Sequence, residues 1–164
     1  MSANPSFPSW AERTGTWRAA GTATSADIEA HLRRCECATV RAMGTAVELP
    51  EHAEAIRRRD ITFEEWSSGG LIGLVAADFG DPAGREALMT SVSVDPDCRR
   101  RGIGRALILQ CIDHARREGF RRLRMVLRKS DVAAIALCRE FGFDALTCGV
   151  EIVVVMLEMP AGRR

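Results

Sequence analysis

The feature that most constrains this chain is a strand, a loop rich in Arg and Gly, and a helix, which follow one another within residues 92–118. Pro96 ends the predicted strand because proline lacks the backbone N–H that a sheet requires. From Gly102 to Glu118 apolar residues recur at helical spacing, and Gly119 ends the helix. These apolar residues are Ile103, Leu107, Ile108, Cys111, Ile112 and Ala115. A strand that passes directly into a helix is typical of an α/β fold, which we therefore predict.

The loop between the strand and the helix has the composition of an anion-binding site. Gly102 and Gly104 lack Cβ atoms, so a ligand can approach the backbone there. The free N–H groups and the dipole of the first helical turn favour negative charge, and arginines add charge-assisted hydrogen bonds to phosphate oxygens. The loop lacks the G-x-x-x-x-G-K-[ST] pattern of a P-loop. It also departs from G-x-G-x-x-G, because position 107 is Leu. We interpret it as a pyrophosphate cradle, with a purely structural turn as the alternative.

The rest of the chain alternates predicted helices and strands. The predicted strands are 16–20, 61–66, 71–79, 87–94, 123–127 and 150–159, and the predicted helices are 24–34, 50–59, 102–118 and 131–141. Residues 1–15 are rich in Pro, Ser and Thr and are predicted to be a flexible lead-in. Residues 16–164 are predicted to form a single domain.

The charge distribution argues against binding of nucleic acid through overall charge. The chain has 164 residues and a formal net charge of +1. Residues 97–129, however, carry 11 basic and three acidic side chains. This local positive potential suits a small polyanion such as a nucleotide phosphate better than a long duplex.

The sequence also bears on compartment and metal binding. No apolar run approaches the roughly 18 residues of a membrane-spanning helix, and residues 1–10 lack the pattern of a signal peptide. We therefore expect a cytoplasmic protein without a membrane partner, in which the six cysteines are free thiols. His31, Cys35 and Cys37 are close in sequence, but their spacing is not that of a zinc site, so no metal is expected.

Two motifs resemble the GNAT superfamily of acyl-CoA-dependent N-acyltransferases. The loop at 99–104, Arg-Arg-Arg-Gly-Ile-Gly, matches that family's R/Q-x-x-G-x-G/A loop, and 92–94 matches the strand before it. The segment 131–143, DVAAIALCREFGF, matches the N-x-x-A-I-x-L-Y-x-x-x-G-F helix and strand. The motifs occur in the family's order, and the resemblance is good over about 87–159.

The resemblance implies a GNAT fold and a cofactor site. The fold is an α/β architecture whose mixed central sheet of about six or seven strands is flanked by helices and contains a splayed pair of central strands. The co-substrate implied is acetyl-CoA, which a substrate amine attacks directly without a covalent enzyme intermediate. The implied pantetheine-binding residues are Val92, Ser93, Val94 and Asp131, and the implied pyrophosphate-binding residues are Arg99, Arg100, Arg101, Gly102, Ile103, Gly104 and Arg105. A homodimer through the apolar final strand is a further expectation.

The catalytic groups depart from the family pattern. Asp131 stands where the family has Asn, and Cys138 stands where it has the Tyr that protonates the departing thiolate; the chain contains no Tyr. A thiol with a pKa of about 8.5 can give a proton to a thiolate of similar basicity, so Cys138 is a candidate general acid. The alternative is that Cys138 only fills space.

Candidates for the base are Glu64 and Glu65, on a strand expected beside the cleft. Only one of them can face inward because strand residues alternate, and a solvated position is the alternative for each. His31 and His52 are lesser candidates, and ordered water could also accept the proton. The missing Tyr motivates a second functional hypothesis, an acyl-CoA-binding module without turnover. The sequence leaves the amine acceptor open.

Overall fold

The computed structural model describes residues 21–35 and 48–160, which form a mixed α/β structure. The helices are α1 (Ser25–Cys35), α2 (Leu49–Arg59), α3 (Ile103–Arg117) and α4 (Val132–Glu140). The strands are β1 (Ile61–Ser67), β2 (Gly70–Asp78), β3 (Glu86–Val94), β4 (Arg122–Arg128), β5 (Asp144–Cys148) and β6 (Ile152–Glu158). Every predicted element within these residues is present. The predicted strand at 16–20 and the lead-in at 1–15 lie outside the described residues.

The six strands form one sheet in the order β1-β2-β3-β4-β6-β5. Neighbouring strands are antiparallel except for β3 and β4, which are parallel. The mixed sheet therefore confirms the predicted GNAT fold class. Strand β5 and a short 3-10 helix at Pro96–Cys98 were not predicted.

Helices cover both faces of the sheet and enclose two apolar clusters. Helices α1 and α2 pack on Leu71, Leu74 and Ala76 of β2, and we call this side the α1/α2 face. Helix α3 and Cys138 of α4 belong to the larger cluster on the other side, the α3/α4 face. All six apolar residues of α3 that the sequence singled out are buried there. Burial on both sides explains why β2 is apolar almost throughout.

Strand β3 leaves β4 at a β-bulge. The two strands pair only from Glu86–Arg122 to Met89–Met125. At the next residue, Thr90, the register between β2 and β3 shifts by one, so Thr90 is an extra residue that bends the strand. Beyond it, residues 90–94 of β3 and 126–128 of β4 separate, and we call the gap between them the split.

The bulge also determines which side chains of β3 face each helix layer. Before it, Met89 packs in the cluster of the α3/α4 face. After it, Val92 and Val94 lie on that face. Ser91 and Ser93 pair with Ala76 and Leu74 of β2 and share the α1/α2 face with them. The split is thus lined by valines on one face and by serines on the other.

Helix α3 sits directly on the sheet at Gly73. A Cβ atom at this position would lie 2.6 Å from Cγ2 of Ile103 and 3.0 Å from Cδ1 of Leu107. The missing side chain lets the first turn of α3 approach β2, and Gly73 pairs with Val94 at the end of β3. The loop between β3 and α3 is therefore fixed next to the split.

The final strand lies in the interior of the sheet. Strand β6 pairs with β4 along one edge and with β5 along the other, so neither of its edges is free. The exposed edge on this side of the sheet is β5, whose five residues are all exposed. A further strand could therefore pair with β5 but not with β6, and the homodimer itself stays a prediction.

Candidate active site

The predicted pyrophosphate cradle is a loop with two left-handed residues ahead of α3. Arg100 has a φ of +62° and Gly102, the N-cap residue, a φ of +79°. The first α-helical hydrogen bond runs from the N–H of Ala106 to the carbonyl of Gly102. The N–H groups of the residues between them point out of the helix end without an intrahelical acceptor. Oriented N–H groups of this kind form a concave anion site.

The arginines of the cradle divide into bound and unbound side chains. Arg99 donates to the carbonyl of Val94 (3.2 Å) and Arg101 to the carbonyl of Asp97 (3.4 Å). Arg105 pairs with Glu140 and lies over the ring of Phe141, with 5.3 Å to the centroid.

Arg100 makes no hydrogen bond or ion pair with any residue in the described part of the chain, and its side chain is exposed. Of the predicted arginines, it is therefore the one whose guanidinium group is available to a phosphate. A positive φ at a non-glycine residue also stores strain, which is characteristic of binding loops.

Gly104 lies where the cradle meets the split. A Cβ atom there would be 3.4 Å from Cγ2 of Val94 and 3.9 Å from Cδ2 of Leu137. The glycine therefore keeps open the space between the end of β3 and helix α4.

Asp131 lies on the β4 side of the split, after the two-residue turn that follows β4. It is the N-cap residue of α4, and its side chain forms no capping hydrogen bond. Its backbone N–H donates to the carbonyl of Arg128. The residues of the two sequence motifs thus border the same gap from opposite sides.

Cys138 is 2% exposed and belongs to the apolar cluster of the α3/α4 face. Burial raises the pKa of its thiol to about 11. A thiol with this pKa stays protonated at neutral pH, and transfer of its proton to a thiolate whose own thiol has a pKa of about 8.5 is uphill. The structure therefore favours the space-filling alternative for Cys138.

Substitution of Cys138 tests this choice. Cys138→Ala is expected to lower the free energy of unfolding by about 1–2 kcal/mol, because a buried sulfur is lost, and to leave kcat nearly unchanged. Chemical denaturation and steady-state rates measure the two quantities. A large loss of kcat at unchanged acetyl-CoA affinity would instead establish Cys138 as the proton donor.

The two glutamates are both buried, so the expectation that either is solvated is wrong. Glu64 is 1% exposed and Glu65 is 5% exposed. Strand β1 is covered on both faces, so alternation assigns the two side chains to opposite helix layers rather than to core and solvent.

Neither glutamate lies beside the split. They pair with Leu74 and Gly73 of β2, and these residues pair in turn with β3, so two inter-strand spacings, about 10 Å, separate them from β3. Burial raises the pKa of Glu65, and this side chain lies beside Gly73 on the α3/α4 face. The position therefore speaks against both as the base.

Glu64 is held by four hydrogen-bond donors on the α1/α2 face. Its Oε1 accepts from the N–H of Ala23 (3.1 Å) and the hydroxyl of Thr62 (2.6 Å). Its Oε2 accepts from the hydroxyl of Thr22 (2.8 Å) and Nε1 of Trp66 (3.0 Å). The carboxylate therefore ties the segment before α1 to β1, a structural role that the sequence did not predict.

The histidines have different surroundings. His52 on α2 is half-buried, and its Nε2 has no hydrogen-bond partner in the part of the chain that the structure describes. His31 on α1 is fully buried. Its imidazole lies 3.0 Å from the carbonyl oxygen of Leu71 and 2.8 Å from Oγ of Ser93. Of the candidate bases, His31 therefore has a hydrogen-bonded connection to the strand that borders the split.

Neither a candidate metal cluster nor a membrane-spanning helix is present in residues 21–35 and 48–160. Within these ranges, no three His, Cys, Asp or Glu side chains are grouped so that they could hold a metal ion. No helix within them is both long and apolar enough to cross a membrane. Cys37, one of the three residues considered for zinc, lies outside the described residues.

The chain is similar to known acetyltransferases in sequence and in fold. The model of the acetyltransferase (GNAT) family matches residues 34–143. The [ribosomal protein bS18]-alanine N-acetyltransferase of Escherichia coli K12 is 42% identical over 62 residues, which cover 38% of this chain and 42% of that protein. The match thus spans less than half the length of this relative.

Solved structures show the same fold. The crystal structure of the ribosomal-protein-S18-alanine N-acetyltransferase from Escherichia coli superposes with a TM-score of 0.71 at 23% identity, covering 90% of this chain and 96% of that one. A phosphinothricin acetyltransferase from Sinorhizobium meliloti, in complex with acetyl-CoA, gives 0.65 at 20% identity and covers 89% of each chain. With a family model that matches two thirds of its length, the chain belongs to the acetyltransferase (GNAT) family.

Proposed function

We propose that this protein is an N-acetyltransferase that transfers an acetyl group from acetyl-CoA to a primary amine by direct attack. The observation that carries the proposal is the split between β3 and β4, which opens beside the cradle at the N-terminus of α3. A gap between strands exposes backbone groups to a ligand, and the cradle supplies N–H groups and Arg100 for phosphate. The acetyl-CoA bound in a structure of the same fold supports this choice of co-substrate.

The residues around the split fit the parts of acetyl-CoA. The cradle would hold the pyrophosphate through the N–H groups of its helix end. Residues 92–94 would offer unpaired backbone groups to the pantetheine, and Asp131 borders the same gap. Acetyl-CoA supplies an activated thioester, so the protein's main contribution is to hold an amine against the acetyl carbon.

The acceptor that we propose to test first is the α-amine of a peptide. The E. coli relative is named for its action on an alanine of ribosomal protein bS18. An α-amine has a pKa of about 7.7–8.0, so part of it is already neutral at physiological pH. A cytoplasmic location and a homodimer stay predictions.

Calorimetric titration with acetyl-CoA is the experiment that tests the co-substrate. We expect saturable binding at one site per chain, with desulfo-CoA as a control that cannot react. Calorimetry avoids thiol reagents, which the six cysteines would consume. Absence of binding at millimolar ligand would reject the cradle and the acetyltransferase together.

Turnover with a panel of amines separates the enzyme from the acyl-CoA-binding module. Peptides that begin with Ala, free amino acids and polyamines are the classes to include, with mass spectrometry as the readout. Acetylation of an amine supports the enzyme. Saturable acetyl-CoA binding without acetylation of any class would favour the binding module.

A further inference from the structure

A buried histidine is hydrogen-bonded to a serine that borders the split. His31 comes from α1 and Ser93 from β3, 62 residues later in the chain. Nε2 of His31 lies 2.8 Å from Oγ of Ser93, and Nδ1 lies 3.0 Å from the carbonyl oxygen of Leu71. Both distances are those of good hydrogen bonds.

The two contacts determine the tautomer of the imidazole. The carbonyl oxygen of Leu71 can only accept a hydrogen bond, so Nδ1 carries the proton of the neutral ring. Nε2 is then an acceptor, and the hydroxyl of Ser93 donates to it. Ser93 therefore points its proton at a base and turns its oxygen lone pairs towards other donors.

Only Ser93 of this pair reaches the split. His31 is fully buried, whereas Ser93 is 8% exposed. Ser93 lies four residues beyond Met89, the last residue of β3 that pairs with β4. Its side chain lies on the α1/α2 face, opposite the valines at 92 and 94. An acceptor that enters from the α1/α2 face would therefore meet the hydroxyl of Ser93.

A neighbouring serine supports a polar lining on this side. Ser91 precedes Ser93 on the same face and is fully buried. Its hydroxyl has no hydrogen-bond partner among the described residues. The α1/α2 side of β3 thus presents the hydroxyl groups of Ser91 and Ser93, and of these two serines only Ser93 is hydrogen-bonded to a titratable group.

We propose that Ser93 and His31 form a proton relay that deprotonates the acceptor amine. Ser93 accepts a proton from the bound ammonium group and passes its own hydroxyl proton to Nε2 of His31. The neutral nitrogen then forms a bond with the acetyl carbon, and the carbon–sulfur bond breaks with its electron pair on sulfur. The second proton lost from nitrogen goes to that sulfur, and His31 returns its proton to solvent through Ser93. The inference rests on the proposed acetyl transfer.

The roles of the two residues differ. Ser93 touches the substrate, whereas His31 acts only through Ser93 and is a positioning residue that takes up the proton. Because the second amine proton goes to sulfur, this sequence needs no separate acid, in agreement with the apolar surroundings of Cys138.

The groups around His31 keep it neutral at physiological pH. Burial lowers the pKa of His31 below 6.5. The hydrogen bond to Leu71 raises this pKa, whereas the positive charge of Arg34 lowers it further. Arg34 donates to the carbonyl of Leu71 and to Asp95, whose carboxylate partly offsets the effect on His31. Cys35 lies 3.5 Å from Nε2. The imidazole is therefore available as an acceptor at pH 7, and the imidazolium is transient.

Five variants test the relay. Ser93→Ala and His31→Gln should each lower kcat by about 100-fold or more, the usual contribution of general base catalysis. The double variant should lose no more than either single one, because the two residues act as a unit. Ser91→Ala, the matched control, removes a hydroxyl from the same face and should keep kcat. Ser93→Thr restores the hydroxyl and should recover most of the rate that Ser93→Ala loses.

The pH profile distinguishes proton transfer from a structural role. Below its pKa, His31 is already protonated and cannot accept a proton from Ser93, so kcat should fall as the pH drops through this lowered pKa. The rate should fall at low pH for two reasons, protonation of the acceptor amine and protonation of His31, and each gives one limb of the pH profile. Two acceptors of different pKa distinguish these limbs, because the first limb moves with the pKa of the amine and the second limb, that of His31, does not. His31→Gln keeps a polar group near Ser93 but should lose this second limb. A full rate or an unchanged limb in His31→Gln would overturn the relay.

Two further measurements do not depend on turnover. Nitrogen NMR of the His31 imidazole should show a proton on Nδ1 and a pKa below 6.5, and a proton on Nε2 would contradict the proposed direction. Intact mass after incubation with acetyl-CoA alone should show no acetyl group on Ser93; a covalent adduct would make Ser93 a nucleophile instead. If no amine is acetylated, the proposed function fails and the relay with it; if amines are acetylated and His31→Gln is unaffected, only the relay fails.

Discussion

Gly104→Val is expected to weaken acetyl-CoA binding by about 100-fold or more, a loss of at least about 2.7 kcal/mol. The Cβ atom would already lie 3.4 Å from Val94 and 3.9 Å from Leu137. The two further methyl groups of valine would have to collide with these side chains or fill the entrance from the cradle to the split. Both outcomes close the path along which the pantetheine would run from the pyrophosphate.

Gly104→Ala is the matched control for this prediction. Its single methyl group makes only ordinary contacts at the distances above, so acetyl-CoA affinity should fall by about tenfold at most. Calorimetric titration measures both variants, and thermal unfolding checks that each is folded. Equal affinity of Gly104→Val and the unsubstituted protein would show that acetyl-CoA does not pass this residue.

Glu64→Ala is expected to lower the free energy of unfolding by about 3–5 kcal/mol. The carboxylate is 1% exposed and accepts four hydrogen bonds. Its removal leaves those donors buried without an acceptor, which costs more than loss of an average hydrogen bond. This is a large part of the stability of a domain of this size.

Glu64→Gln should be milder and informative. The hydroxyls of Thr22 and Thr62 can rotate and accept from the new amide, but the N–H groups of Ala23 and Trp66 can only donate. Because these two N–H groups bond different carboxylate oxygens, one of them must face the amide nitrogen. Chemical denaturation should therefore rank the unsubstituted protein, Glu64→Gln and Glu64→Ala in order of falling stability.

Activity separates this structural role from the role of a base. At temperatures where Glu64→Gln is folded, we expect its kcat to be nearly unchanged, because Glu64 lies two strands from β3. A loss of kcat comparable to that of His31→Gln, in a folded protein, would restore Glu64 as a candidate base.

Periodicity was sufficient to predict the helix and strands around the cradle. The apolar residues of α3 recur along one side of the helix, and all six are buried. Periodicity did not predict strand β5, because it is an edge strand whose five residues are all exposed. Such a segment lacks the alternation of apolar and polar residues that identifies a half-buried strand.

The candidate site was less accessible to sequence analysis. Both glutamates of β1 were expected to face solvent or the cleft, but a strand covered on both sides has no solvent face. The contact of His31 with Ser93 joins residues 62 positions apart, and a single sequence gives no signal for such pairs. The face on which Ser93 lies also depends on the β-bulge at Thr90, and no residue type in β3 indicates that bulge.

Thr90 changes the phase of β3. Up to Met89 the odd-numbered residues belong to the α3/α4 side, and after the extra residue they belong to the α1/α2 side. Deletion of this one residue would restore regular alternation and leave residues 91–94 on their present faces, whereas a strand that kept Thr90 as an ordinary paired residue would place the serines on the α3/α4 side and the valines on the α1/α2 side. Which wall is polar and which is apolar therefore depends on Thr90 being accommodated as a bulge, and residues of the split are better compared between relatives by counting back from Pro96 than forward from the start of the strand.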